Sequence, residues 1–311
     1  MDGEVEKVLL QLEDKGHKGR IVSTRRLTEL QEGTEGHHRQ GLLDEEFYQE
    51  YLAGLKFNPP ESLPEARSLI VVAVPDPPTR ITFTREGERL PLLVPPTYLH
   101  YREIDKRVED LLAEALAPAG YRVAQARLPK KLLAVRSGLA QYGRNNISYI
   151  PGTGSLHRLV ALFSDVPCPE DSWQEPQMLE RCQKCRACLR GCPTGAITSE
   201  RFLVRAEVCI TYHNEKPTDV PFASWIHPAW HNCLVGCFHC QEVCPENKGV
   251  VPRIEEEDQF SEQETAQLVE GLPLDRLPAP TVEKLQRLDL VEFLDILPRN
   301  LSVLLSRTKE H

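Results

Sequence analysis

An α+β protein is expected of these 311 residues, in three parts. A mixed α/β domain spans 1–175, a small cysteine-built module 176–250 and a short helical extension 251–311. Three observations predict this. Apolar runs of strand length alternate with amphipathic helical stretches before residue 175. Eight of the ten cysteines then fall into two groups, one member of the second lying upstream of the rest. After residue 251 an acidic stretch leads into helical periodicity.

The elements follow in order. Residues 1–20 carry Val5, Val8, Leu9 and Leu12 at helical spacing. The stretch Thr34 to Arg39 reads as a polar loop without a role, and 43–56 as helical. Ser68-Leu69-Ile70-Val71-Val72-Ala73-Val74 reads as a buried central strand, broken by Asp76-Pro77-Pro78. From Glu103 to Leu116, Ile104, Val108, Leu111, Leu112 and Ala115 share one helical face. Pro118-Ala119-Gly120 ends that helix. A strand is expected from Tyr121, a short helix from Leu132 to Leu139, and a further strand from Leu159 to Phe163. In the extension, Ser261-x-x-Glu264 is a capping box. Val282, Leu285 and Leu288, then Phe293, Leu294 and Leu297, form apolar stripes. Pro298-Arg299-Asn300-Leu301 is expected to separate them from a last short helix. The extension reads as packing scaffold.

The cysteines fix a chemistry. The first group is Cys182-x2-Cys185-x2-Cys188-x3-Cys192-Pro193, and the second is Cys237-x2-Cys240-x3-Cys244-Pro245 with Cys209 upstream. The first spacing is that of bacterial ferredoxins, in which three close thiolates hold one 4Fe–4S cube and the fourth crosses to the other. A ferredoxin-like module with two 4Fe–4S clusters follows. The crossing rule gives cluster one Cys182, Cys185, Cys188 and Cys244. It gives cluster two Cys192, Cys209, Cys237 and Cys240, with Cys233 an alternative to Cys209. Cys168 is left over. Zinc prefers two cysteine pairs to three evenly spaced cysteines plus Cys-Pro. Disulfides fit less well, because the charged start MDGEVEKVLLQLEDKGHKGR has no apolar signal core. A cytoplasmic protein is therefore expected, where such cysteines are metal ligands.

Composition sets limits. Apolar content of 41% and charged content of 27% are ordinary for a globular protein. No apolar run is long enough to span a membrane. A net charge of −9 argues against non-specific nucleic-acid binding as the main role. One window departs from this acidic balance. From Ala115 to Ser164 there is no Asp or Glu, while Arg122, Arg127, Lys130, Lys131, Arg136, Arg144 and Arg158 are present. Such a window either binds an anion or is paired with acidic residues elsewhere; composition slightly favours pairing. His213, His227, His231 and His239 near the cysteines read as hydrogen-bonding or surface residues, and Trp225 and Trp230 as shields of the second cluster.

Several segments carry a resemblance. They are Leu128-Pro129-Lys130-Lys131-Leu132-Leu133-Ala134-Val135-Arg136-Ser137-Gly138-Leu139, then Tyr142-Gly143-Arg144-Asn145-Asn146, the stretch from Pro64 to Ile70, Gly152-x-Gly154-Ser155, and Cys209-Ile210-x-Tyr212. Together with the cysteines they resemble the epoxyqueuosine reductase family, relatives of the reductive dehalogenases, over roughly 60–250. The last segment favours Cys209 over Cys233. The resemblance implies an N-terminal domain of corrinoid-binding type, holding a cobalamin without a His below cobalt. It implies that the clusters feed electrons to cobalt, making a nucleophilic Co(I), and that the substrate is the epoxide of a modified tRNA base, reduced in queuosine biosynthesis. It implies a low-potential electron donor of ferredoxin or flavodoxin type, tRNA as a partner, and no membrane. Arg136, Arg144, Asn145, Gly154 and Ser155 are the residues expected to hold the corrinoid.

One departure matters. The family carries an Asp before its Pro-containing segment as the proton donor. The matching stretch here, Ala124-Gln125-Ala126-Arg127-Leu128-Pro129, has no carboxylate. Tyr142 is then the candidate acid, or else a packed aromatic. Two readings stand: a cobalamin-dependent iron–sulfur reductase, with this or a changed substrate, or a non-catalytic electron-transfer or corrinoid-activating partner.

Overall fold

The computed structural model describes residues 3–168, 170–249 and 254–306. Met1 and Asp2, at the start of the expected first helix, lie outside them. Nine strands are found among the described residues: β1 (Lys18–Ser23), β2 (Ser68–Pro75), β3 (Thr79–Arg85), β4 (Glu88–Val94), β5 (Val123–Gln125), β6 (Gln141–Tyr142), β7 (Ser148–Tyr149), β8 (His157–Ser164) and β9 (Glu255–Phe260). The chain divides into two compact units. One is Met1–Pro75, Arg102–Cys185 and Glu200–Arg205; the other is Asp76–Tyr101, Arg186–Ser199 and Ala206–His311.

The first unit is built on an antiparallel sheet of order β1-β2-β8-β5. The apolar run from Ser68 forms β2, buried on both faces. Alternation along it sorts its side chains. Leu69, Val71 and Ala73 face a core with Leu27, Leu30, Leu133 and Val135. Ile70, Val72 and Val74 face a second core with Val8, Leu12, Val108 and Leu112. Helices Leu27–Arg39 and Lys130–Arg136 thus cover one face, and Gly3–Asp14 and Tyr101–Leu116 the other. Gly19 permits this packing on β1, since a Cβ there would lie 2.6 Å from Leu12 Cδ1.

The stretch Thr34 to Arg39, expected as a loop, is the second half of helix Leu27–Arg39. Its interior glycine has a packing reason: a Cβ on Gly33 would come within 3.0 Å of Leu132. Thr34 is buried and donates its hydroxyl to Leu30 O at 3.1 Å.

In the second unit β3 and β4 form a hairpin, and β9 pairs parallel to β3. The turn at Glu86-Gly87 has φ of 53° and 80°, the two left-handed positions of a type I′ hairpin. Phe83 stacks on Phe260 with ring centroids 5.0 Å apart. Around them Leu268, Leu285, Leu297, Leu301 and Leu305 close one core. The acidic stretch Glu255 to Asp258, expected only to precede helices, is thus strand β9, with Arg80 paired to Glu256 at 3.3 Å. The capping box at Ser261 forms as expected. Pro298 to Leu301 do not break the chain; they lie in helix Leu297–Ser306, where a proline in the first turn sacrifices no hydrogen bond.

Candidate functional site

The cysteine segment is a series of turns and one-turn helices. Cys192 and Cys244 both take extended backbone, with ψ of 111° and 124°. The proline after each enforces this and ends the preceding short helix, Ala187–Gly191 or His239–Glu242. These two helices meet where Gly191 faces Val243: a Cβ on Gly191 would lie 2.9 Å from Val243 Cγ2. Each contact residue directly precedes a Cys-Pro, so the two halves of the repeated motif pack together.

In the second unit several thiols share one environment. Burial pushes the Cys237 thiol well above its usual pKa, and Cys233, Cys209 and Cys192 push it further. Burial also raises Cys209, with Cys192 adding to it. Cys233 is raised by burial, then by Glu242 and Cys240. Mutual influence among Cys192, Cys209, Cys233 and Cys237 puts these thiols near one another, as the four-cysteine donor set of a 4Fe–4S cluster requires. Among the described residues, no three or more His, Cys, Asp or Glu gather as the ligands of a metal ion. Cys168 has a different setting. It donates towards Ile21 O and Glu170 O, and burial pushes its thiol up to about 11.

The loop carrying Cys233 and Cys237 is fixed from outside the cysteine segment. Leu234 N–H donates to Leu93 O on β4 at 2.8 Å. Asn300 Nδ2 donates to Asn214 O at 2.9 Å and Leu234 O at 3.0 Å. Asn214 Nδ2 donates to Gly236 O at 2.7 Å, and its Oδ1 lies 2.9 Å from His231 Nδ1. Tyr98 donates its hydroxyl to Glu215 and packs on Gly236. Neither Asn300 nor Tyr98 was singled out from the sequence; a buried Asn within a leucine-rich helix was the available signal. The four histidines all serve as hydrogen-bonding residues. Trp225 is 42% exposed and meets His213 edge-on.

In the first unit, β6 and β7 are joined by a tight turn containing Gly143, Arg144 and Asn145. Gly143 N–H donates to Ile147 O and Asn146 N–H to Gly143 O. Asn145 is buried and donates Nδ2 to Tyr149 Oη at 2.9 Å. Arg144 donates Nη2 to Cys182 O at 2.5 Å. Tyr142 lies in the apolar core, edge-on to Phe202, and burial raises its pKa. Gly154 bonds through both backbone groups to Ile150, and Ser155 beside it is buried.

Arg136 is held elsewhere. It pairs with Glu29 and, at 2.9 Å, with Glu175, and stacks over Trp173. The basic window is largely neutralised in the same way: Arg158 and Lys130 meet Asp105, and Arg122 meets Glu65 and Asp165. A cavity of about 460 Å³, lined among others by Gln31, Tyr48, Lys56 and Phe57, contains none of the residues expected from the sequence.

Residues 181–247 match the 4Fe-4S double cluster binding domain family, so the two clusters expected from the spacing are supported by a match spanning all eight assigned cysteines. Curated relatives are named epoxyqueuosine reductase. The Yersinia pestis protein is 34% identical over 140 residues, 45% of this chain and 32% of that protein. The Staphylococcus aureus protein is 28% identical over 231 residues, 71% of this chain and 58% of that one. The chain thus matches about a third to three fifths of these relatives' lengths. Among solved structures, epoxyqueuosine reductase from Bacillus subtilis, with its catalytic aspartate loop swung out of the active site, superposes with a TM-score of 0.67 at 21% identity, over 98% of this chain and 82% of that one. An epoxyqueuosine reductase with a modified tRNA-Tyr stem loop gives 0.66 at 21% identity, over 98% and 81%. With a matched double-cluster domain, aligned sequence and a shared mixed α/β fold, this chain resembles the epoxyqueuosine reductase family.

Proposed function

We propose that this chain is an iron–sulfur reductase of the epoxyqueuosine reductase type. In this reading cluster one takes Cys182, Cys185, Cys188 and Cys244, and cluster two takes Cys192, Cys209, Cys237 and Cys240. The observation that carries it is the joint likeness: the double-cluster match together with sequence likeness over 71% of the chain and fold likeness over 98% of it. Two cubes supply one-electron steps, and a cobalamin would supply the reductant that meets carbon. The substrate class is the epoxide of a modified tRNA base or a changed substrate, and the electron source a low-potential ferredoxin or flavodoxin.

The side chains assigned to the corrinoid fit it poorly as direct ligands. Arg136, Arg144 and Asn145 are engaged within the protein, as is the Gly154 backbone. Arg144 and Asn145 build the turn between β6 and β7, and Arg136 ties its helix to Glu29 and Glu175, so these donors are committed within the protein. Tyr142 is the proton donor assigned in this reading, but its place in the apolar core against Phe202, where burial raises its pKa, favours the packed aromatic instead. With no carboxylate between Ala124 and Pro129, a second reading has specific support: an electron-transfer or corrinoid-activating partner that performs no substrate chemistry.

One experiment separates the two. The chain is reconstituted anaerobically with iron and sulfide, incubated with cobalamin, desalted and assayed for metals. About eight irons with one cobalt per chain supports the reductase. About eight irons without cobalt refutes it and leaves the electron-transfer partner.

A further inference from the structure

We infer that Arg144 is a positioning residue of the first cluster, holding the Cys182 ligand in place and setting that cluster's reduction potential. The inference deepens the double-cluster reading and rests on it, but not on the corrinoid.

The segment before Cys182 is laid along β6 like a short added strand. Tyr142 N–H donates to Gln177 O at 2.8 Å, Leu179 N–H donates to Tyr142 O at 2.9 Å, and Cys182 N–H turns back onto Leu179 O at 2.9 Å. Tyr142 and Met178 form a parallel bridge. Arg144, two residues beyond Tyr142, completes this clamp by donating Nη2 to the carbonyl of Cys182 itself. Its Nε is buried with no hydrogen-bond partner among the described residues. A buried donor without an acceptor is costly. Thiolate or sulfide sulfur of the cluster on Cys182 is the class of acceptor that would satisfy it.

A guanidinium keeps its positive charge at every working pH. Positive charge and hydrogen bonds near an iron–sulfur cluster stabilise the reduced form, which carries one more electron. Arg144 therefore raises the potential of the cluster that Cys182 helps to hold, and leaves the other less affected. The surface residue Arg122, paired with Glu65 and Asp165, carries the same charge on carboxylate partners and serves as control.

The test uses the full chain, reconstituted anaerobically, as Arg144→Met, Arg144→Lys and Arg122→Met. Iron per chain is measured, and each cluster is titrated by electron paramagnetic resonance. In Arg144→Met one cluster should become about tenfold harder to reduce, about 59 mV for one electron, with the second unmoved. Arg144→Lys should recover much of that shift, and Arg122→Met should show none. Loss of about half the iron in Arg144→Met, restored in Arg144→Lys, also supports positioning. Unchanged midpoints at full iron in Arg144→Met overturn the inference. So do equal shifts in Arg144→Met and Arg122→Met, or equal loss of both clusters in a folded Arg144→Met and Arg144→Lys. If the unsubstituted chain holds far fewer than eight irons, the double-cluster reading itself fails, whatever Arg144 does.

Discussion

His157 makes the protein sensitive to mild acid through one buried ring. It opens β8 and is 4% exposed, with Nε2 3.0 Å from Ser148 Oγ on β7. Burial pushes its pKa down from 6.5 to about 4, against a smaller upward pull from the Gly154 backbone. The unfolded chain therefore takes up this proton before the folded one does. The stabilisation is intact above pH 6.5, declines as pH falls towards about 4, and is lost below it. Linkage between these two pKa values gives a loss of about 2 kcal/mol from pH 7 to pH 5. His157→Gln keeps a polar partner for Ser148 and cannot titrate. Urea unfolding of both proteins at pH 7, 6 and 5 isolates the group, because shared carboxylate titrations cancel in the difference. The natural chain should lose about 2 kcal/mol more than the variant between pH 7 and pH 5. Curves that stay parallel to within about 0.5 kcal/mol would refute the assignment of a buried neutral imidazole.

Three further outcomes test the site's supports. Gly143→Ala puts a Cβ 2.3 Å from Tyr149 Cε2; it should cost about 1–3 kcal/mol in urea unfolding and lower the iron retained after desalting. Asn300→Leu leaves the carbonyls of Asn214 and Leu234 without their buried donor; a loss of about 1–3 kcal/mol is expected, with cluster two bleaching first in air. Cys209→Ala should fall from about eight irons to about four, while Cys233→Ala should keep about eight; the reverse pattern would exchange the two residues as ligands.

The parts legible in the sequence were those in which local pattern and tertiary demand agree. The run Ser68 to Val74 is apolar at every position after the first and forms a strand buried on both faces. The capping box and the cysteine spacing depend on near neighbours alone. The missed elements depend on distant partners. β9 has four acidic residues in succession, poor strand formers. It pairs because Phe260 must stack on Phe83 and because Arg80 offers Glu256 a partner. The β3–β4 hairpin turns at Glu86-Gly87, where an Asn-Gly or Asp-Gly would have announced it. Helix Leu27–Arg39 contains Gly33 and Gly36, which mimic a loop until the approach of Leu132 explains the first. The pairing that composition slightly favoured for the basic window is what forms, but its acidic partners, Glu29, Glu65 and Asp105, lie too far away in sequence to be named from it.

The side chains around the cysteines answer a problem that iron–sulfur segments pose. Turns rich in ligands bury little apolar surface and leave many carbonyls without secondary-structure partners. Metal–thiolate bonds fix the sulfur atoms, but not the peptide groups between them. In the first unit Arg144 takes the Cys182 carbonyl. In the second, Asn214 takes that of Gly236, and Asn300 those of Asn214 and Leu234. Arg299 adds His213, Pro217 and Val220. The helix that looked like scaffold is thus the donor face for the second cysteine loop. The same requirement separates these residues from a cofactor-gripping role: a side chain whose donors already hold a ligand loop cannot release them to a corrinoid without loosening that loop. Variants of this helix should therefore alter iron retention before they alter any substrate preference.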